Sequence, residues 1–157
     1  MTVKEITDAI NLRLLECRKD FTVYVDFQPQ EVKRPAFALE YIRCTGRKRM
    51  TCGTYMSTEL FQITYFAPTD SYYRPDRMGL YDVTEDVLKE FDNGYIKVAD
   101  RAPKINAYMA EVSGTEAFTE ITVERTERTG EAERKRKAEE EAEKMGEVEL
   151  DIKSRNV

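Results

Sequence analysis

Almost every large apolar side chain of this protein lies before residue 128, and beyond it the composition changes abruptly: residues 131–157 carry nine acidic and seven basic side chains. A core is built from apolar surface removed from water, so the fold has to come from residues 1–128. Residues 129–157 then form a charged C-terminal extension. With 157 residues in all, the chain fits one ordinary domain that buries enough surface to fold without staples. The three cysteines, Cys17, Cys44 and Cys52, are odd in number and lack C-x₂-C spacing. They read as small packed thiols rather than a disulfide set or a zinc site.

Within residues 1–128 two helical periods alternate with runs of period two. Thr2 followed by Glu5 is a capping-box pattern, and Val3, Ile6, Ile10, Leu14 and Cys17 recur at helical spacing, which predicts a helix over about residues 3–19. Thr22-Val23-Tyr24-Val25-Asp26-Phe27 alternates as a strand. A second strand follows Arg34-Pro35, and a third, over about residues 51–66, places Phe61, Ile63 and Tyr65 on one face. Thr45-Gly46-Arg47-Lys48-Arg49 reads as a basic turn joining these two strands into a hairpin. Leu80, Val83, Thr84, Val87, Leu88 and Phe91 give a second helix over about residues 75–92, closed by Asn93-Gly94. Tyr95 to Val98, Lys104 to Val112 and Ala117 to Glu127 supply two or three further strands. Strand runs with segregated helices mean α+β: an antiparallel or mixed sheet of four to six strands with two helices on one face.

The extension pairs Glu131 with Lys135, Glu133 with Lys137 and Glu140 with Lys144 at i, i+4, so it is helical to about Met145. Its stripe of Ala138, Ala142 and Met145 is too thin to bury itself. Val148, Leu150 and Ile152 alternate like a short strand, although their spacing also suits an amphipathic helix.

The chain contains no histidine, which removes the commonest general base, the commonest metal ligand and the centre of Ser-His-Asp and Cys-His arrangements. Asp70, Asp76, Asp82, Glu85 and Asp86 could in principle gather a hard cation, but they lack metal-loop spacing, and carboxylates at the start of a helix are favoured by its dipole. No phosphate-binding glycine loop occurs, so neither a cofactor nor a metal site is expected and the chain reads as a non-enzyme. A net charge of −5 does not suit a general nucleic-acid binder. No apolar run reaches the roughly 20 residues of a membrane span, and the N-terminus lacks the layout of a signal peptide, so an intracellular product with no membrane partner is expected. What remains are candidate contact residues: the basic Arg47, Lys48 and Arg49, the aromatic and basic Tyr72, Tyr73 and Arg74, and Val148, Leu150 and Ile152 in the extension.

Several short stretches carry a family likeness. They are Met1-Thr2-Val3-Lys4-Glu5-Ile6-Thr7-Asp8-Ala9-Ile10-Asn11, Val32-Lys33-Arg34-Pro35-Ala36-Phe37, Phe61-Gln62-Ile63-Thr64-Tyr65-Phe66-Ala67-Pro68, and the second helix through Leu88. In this order the chain resembles, over residues 1–126, the tail terminator family of long-tailed bacteriophages and of phage-like particles of Gram-positive bacteria. The resemblance implies a virion protein made in the bacterial host cytoplasm. It would form a homohexameric ring that caps the tail tube protein, ends tail polymerisation and joins the tail to the head-side connector protein, and in contractile particles it would meet the tail sheath. It implies no catalytic residues. The charged segment after Thr129 departs from the family pattern. The residues alone leave two other readings open: a different neck or head-tail connector protein, and a nucleic-acid-associated regulatory protein resting on the basic hairpin.

Overall fold

The Thr2 hydroxyl accepts the Glu5 N–H at 3.2 Å, and the Glu5 carboxylate accepts the Thr2 N–H at 2.7 Å. This closed capping box starts helix α1 (Val3–Cys17) of the computed structural model. The structure describes the backbone of all residues except Cys52, Tyr73, Asn156 and Val157, and side chains as far as residue 147 apart from those of Cys52 and Tyr73. The strands β1 (Thr22–Val25), β2 (Ala36–Arg49) and β3 (Thr54–Phe66) follow α1. Helix α2 (Arg77–Glu90), β4 (Lys104–Ser113), β5 (Glu116–Arg128) and α3 (Gly130–Arg155) complete the chain.

The five strands form one sheet in the order β1-β2-β3-β5-β4. β1 runs parallel to β2, with Thr22 opposite Ala36 and Val25 opposite Leu39, so the sheet is mixed. A short strand makes this possible. Residues 26–35 need to carry the chain back over only about 13 Å at ~3.3 Å per residue, less than the usual helical crossover spans. β4 and β5 are antiparallel, with a bulge between Met109 and Glu111.

Alternation decides which side carries the helices. Phe37 and Leu39 of β2, Phe61, Ile63 and Tyr65 of β3, and Ala117, Ile121 and Val123 of β5 share one face. They form a single cluster with Ile6, Ile10 and Leu14 of α1 and Leu80, Val83 and Val87 of α2, closed by Phe91. Phe21, just before β1, lies 5.3 Å from the Phe37 ring and stacks on Tyr65 at 5.8 Å. Thr84, buried inside α2, donates its hydroxyl to the Leu80 carbonyl, which satisfies the one polar group that the inner face of this helix brings into the core. The fold is α+β, with the helices α1 and α2 on one face of a mixed sheet.

One expectation is corrected, and two that were left open are resolved. Thr45, Gly46, Arg47, Lys48 and Arg49 are not a turn but the end of β2, and the connection to β3 falls at residues 50–53. Residues 95–98 do not add a strand: isolated bridges join Tyr95 to Lys104 and Val98 to Arg101, and the Ile105 N–H donates to the Gly94 carbonyl at 2.8 Å. At Val148, Leu150 and Ile152 the backbone stays helical, since α3 runs through Arg155.

The contacts divide the chain into two compact units. Residues 1–47 and 57–125 hold the apolar core. Residues 48–56 and 126–157 make the second. Within it the Thr129 N–H donates to the Gly53 carbonyl at 2.7 Å, and the Thr129 hydroxyl accepts the Ala132 N–H at 3.3 Å at the start of α3. Arg136 bridges Glu133 and Glu140 along that helix, and Lys135 pairs with Glu131.

Candidate interaction surfaces

Alternation along β3 places Ser57 and Glu59 on the same face as Phe61 and Ile63, and along β5 it places Arg125 after Val123. A carboxylate that is only 2% exposed, as Glu59 is, has to be paired. Tyr41 of β2 donates to one of its oxygens at 2.7 Å, while the Ser57 hydroxyl and the Arg125 Nε donate to the other, each at 2.9 Å. Arg125 Nη1 also donates to the Met1 carbonyl at 3.0 Å, tying the start of the chain to the sheet. Burial pushes the Glu59 carboxyl up, but the three donors outweigh it and hold the group below the ordinary carboxylate range. Burial, with the hydrogen bond to Glu59, pushes the Tyr41 phenol up to about 12. Every oxygen of this cluster is engaged, so its role is to join three strands and the N-terminus.

Three side chains of the acidic group noted in the sequence have local tasks. Asp70 Oδ1 accepts the N–H groups of Tyr72 and Arg74, both at 2.9 Å. Asp76 caps α2 by accepting the Gly79 N–H, and Asp86 pairs with Arg18. Among the described residues no group of three or more Cys, Asp or Glu side chains is placed to hold a metal ion.

The expected contact residues lie in three places. Arg47, Lys48 and Arg49 extend along exposed strand β2. Tyr72 is 76% exposed and carries the Arg74 guanidinium 5.4 Å above its ring, so the Asp70-braced loop presents both to solvent. Tyr73 lies outside the described residues. Val148, Leu150 and Ile152 belong to the backbone of α3.

Two strand edges escaped the sequence reading. β1 covers β2 only at residues 36–39, and Asp26 closes that cover: its N–H donates to the Leu39 carbonyl and its carboxylate accepts the Tyr41 N–H. From Ile42 onward every side chain of β2 is exposed, and no described strand pairs with that edge. At the opposite side of the sheet, residues 94–98 cover only the beginning of β4, leaving residues 106–113 as an open edge. Ile42, Tyr108 and Met109 at these edges are 39%, 41% and 44% exposed. The first of these edges arises from the mismatch in length between the four-residue β1 and the fourteen-residue β2.

A family model described as phage tail terminator protein matches residues 5–137, which takes in α1 from Glu5 onward, the whole sheet, α2 and the first turns of α3. The chain belongs to the phage tail terminator family. No curated protein matches it. As a tail terminator family member it is a structural protein of the phage tail, located in the virion tail and associated there with other tail proteins. The two open edges and the Tyr72 loop are therefore surfaces of a protein that works by contact.

Proposed function

We propose that this protein forms a closed homohexameric ring that caps the tail tube, ends tail polymerisation and offers its other side to the head-side connector. The observation that carries this reading is the family match across the entire sheet and both core helices. A ring requires heterologous contacts, in which one patch of a copy meets a different patch of the next. The sheet offers two unlike edges at its opposite sides, which suits that requirement. In this reading residues 1–128 are the ring-forming domain and residues 129–157 the reaching extension, with the tail tube protein, the connector protein and, in contractile particles, the sheath as partners. Arg47, Lys48, Arg49, Tyr72, Tyr73, Arg74, Val148, Leu150 and Ile152 are the contact residues proposed for it. It acts without catalysis, cofactor or metal.

Mass measurement of purified tails tests the ring. Six copies per tail are expected, together with overlong tail tubes in cells lacking the protein. One or two copies, or tubes of normal length in its absence, would overturn the reading.

A further inference from the structure

The two sides of the sheet differ in cover and in charge. Alternation sends Phe37, Leu39 and Tyr41 of β2 to the side that holds α1 and α2, and Ala38, Glu40 and Ile42 to the other, outer side. Both helices of the first compact unit lie on the first of these sides. On the outer side its strands carry the acids Glu40, Glu111, Glu116, Glu120 and Glu124 against a single base, Lys104, which stands opposite Glu124. Tyr108 donates its hydroxyl to Glu120 on this side. Arg125 turns the other way and is held by Glu59. Residues 26–35 cross one corner of the outer side, where Arg34 lies over the Phe66 ring and donates to the Ala67 carbonyl. Lys48 and Arg128 alternate onto it at the far ends of β2 and β5, in the second unit.

The far half of β2 has the opposite charge on the opposite side. From Ile42 to Arg49 every side chain is exposed, so this stretch has left the core on both of its faces. Alternation from Tyr41 puts Arg43, Arg47 and Arg49 on the helix-bearing side, and no acid occurs between residues 41 and 58. On the same side the end of β5 contributes Glu127, which leaves three bases to one acid.

Copies related by rotation about a ring axis keep the same side turned the same way along that axis. Neighbours that overlap therefore do so like tiles, the helix-bearing side of one meeting the outer side of the next. A basic stripe on the first side and an acidic field on the second are the charges that such an overlap needs, whereas two outer sides would repel each other. We propose that the far half of β2 of one copy lies across the outer sheet face of the next, with Arg43, Arg47 and Arg49 over its glutamates. The contact is face to face and leaves the strand ladders of both sheets as they are. This inference rests on the ring reading above and names the contact that closes the ring. Because the paired charges lie near solvent, added salt should weaken the contact.

Charge exchange and cross-linking test the overlap. Arg43→Glu with Arg47→Glu sets acid against acid, and Glu116→Lys with Glu120→Lys sets base against base. Each double variant is expected to weaken self-association in tails or in concentrated solution by about tenfold or more. The chain carrying all four substitutions restores complementarity with reversed sign and should recover assembly. All four positions lie outside the core cluster, and circular dichroism melting checks that each variant folds. The faces themselves are read by a cross-link. With Cys17, Cys44 and Cys52 changed to Ser, Thr45→Cys lies between Arg43 and Arg47, and Thr122→Cys lies between Glu120 and Glu124. A short bismaleimide should join this pair into oligomer ladders within tails. The control omits Thr45→Cys and keeps Cys44, which is exposed and alternates to the outer side of β2, and it should give far fewer. If tails contain six copies but the fourfold variant shows no rescue, or the Thr45→Cys chain cross-links no better than the control, the overlap is wrong and the ring stands. If tails contain one or two copies, the ring reading itself has failed.

Discussion

Glu59 shows how much one buried charge can hold. Removing one partner of a buried ion pair costs more than the pair contributes, because the other charge stays buried without compensation. Glu59→Ala strands Arg125, only 19% exposed, and leaves the Tyr41 and Ser57 hydroxyls without an acceptor. The expected loss is roughly 3 kcal/mol, read as a shift in urea midpoint at neutral pH. The same group makes stability depend on pH. Its folded carboxyl lies below the ordinary value of 4.5, so its contribution is fully present above that value and is lost as pH falls below it. The wild type should therefore lose more stability between pH 6 and pH 3 than Glu59→Gln. Equal losses in the two proteins would show that Glu59 is not the titrating group. In the sequence, Glu59 shares the parity of Phe61, Ile63 and Tyr65, and that was the legible part. Its partners Tyr41 and Arg125 come from other strands at 18 and 66 residues' remove, and no local spacing announces such a meeting.

At the scale of elements, periodicity found both core helices and the strand faces because burial on one side imposes a repeat of 3.6 or 2. The capping box of α1 was legible because both of its bonds are local. The hairpin tip was misplaced because Gly46 beside three basic residues looks like a turn, whereas its position in β2 demands no glycine: an added Cβ would meet nothing within 4 Å. The glycine the turn requires is Gly53, at φ +69°, where an added Cβ would lie only 2.8 Å from the Ala132 Cβ. Opposite outcomes follow for the same substitution. Gly46→Ala should leave stability unchanged or raise it by about 0.5 kcal/mol, since it restricts the unfolded chain. Gly53→Ala should destabilise the unit containing α3 by about 1–3 kcal/mol, through strain at positive φ and the clash with Ala132. Hydrogen exchange at the Thr129 and Ala132 amides, followed beside circular dichroism melting, reads both. Faster exchange in Gly46→Ala than in Gly53→Ala would put the tip back where the sequence suggested it. The parallel β1 was equally hidden, since chain direction leaves no trace in alternation.

For the whole molecule, the division between a core-forming segment and a charged extension follows from where the apolar residues lie, and the family match ends at residue 137, inside α3. α3 has ion pairs along its first turns, but from residue 138 to residue 147 every side chain is exposed, Met145 at 68%. Charge also changes along it: Arg134, Lys135, Arg136 and Lys137 are followed by Glu139, Glu140, Glu141 and Glu143. A helix of this kind draws little stability from its own chain beyond pairs worth a few tenths of a kcal/mol each. The proposed role for it is contact with a neighbouring subunit or another tail protein, which would cover Met145 and the apolar residues that follow. Deleting residues 146–157 should therefore leave the melting temperature of the isolated protein within a degree or two of wild type, because the described core ends at Val123. The same deletion should lower incorporation into tails several-fold when truncated and full-length protein compete in one cell. A truncated protein that melts markedly lower would place these residues in the protein's own fold, and equal incorporation would show that the end of α3 docks on nothing.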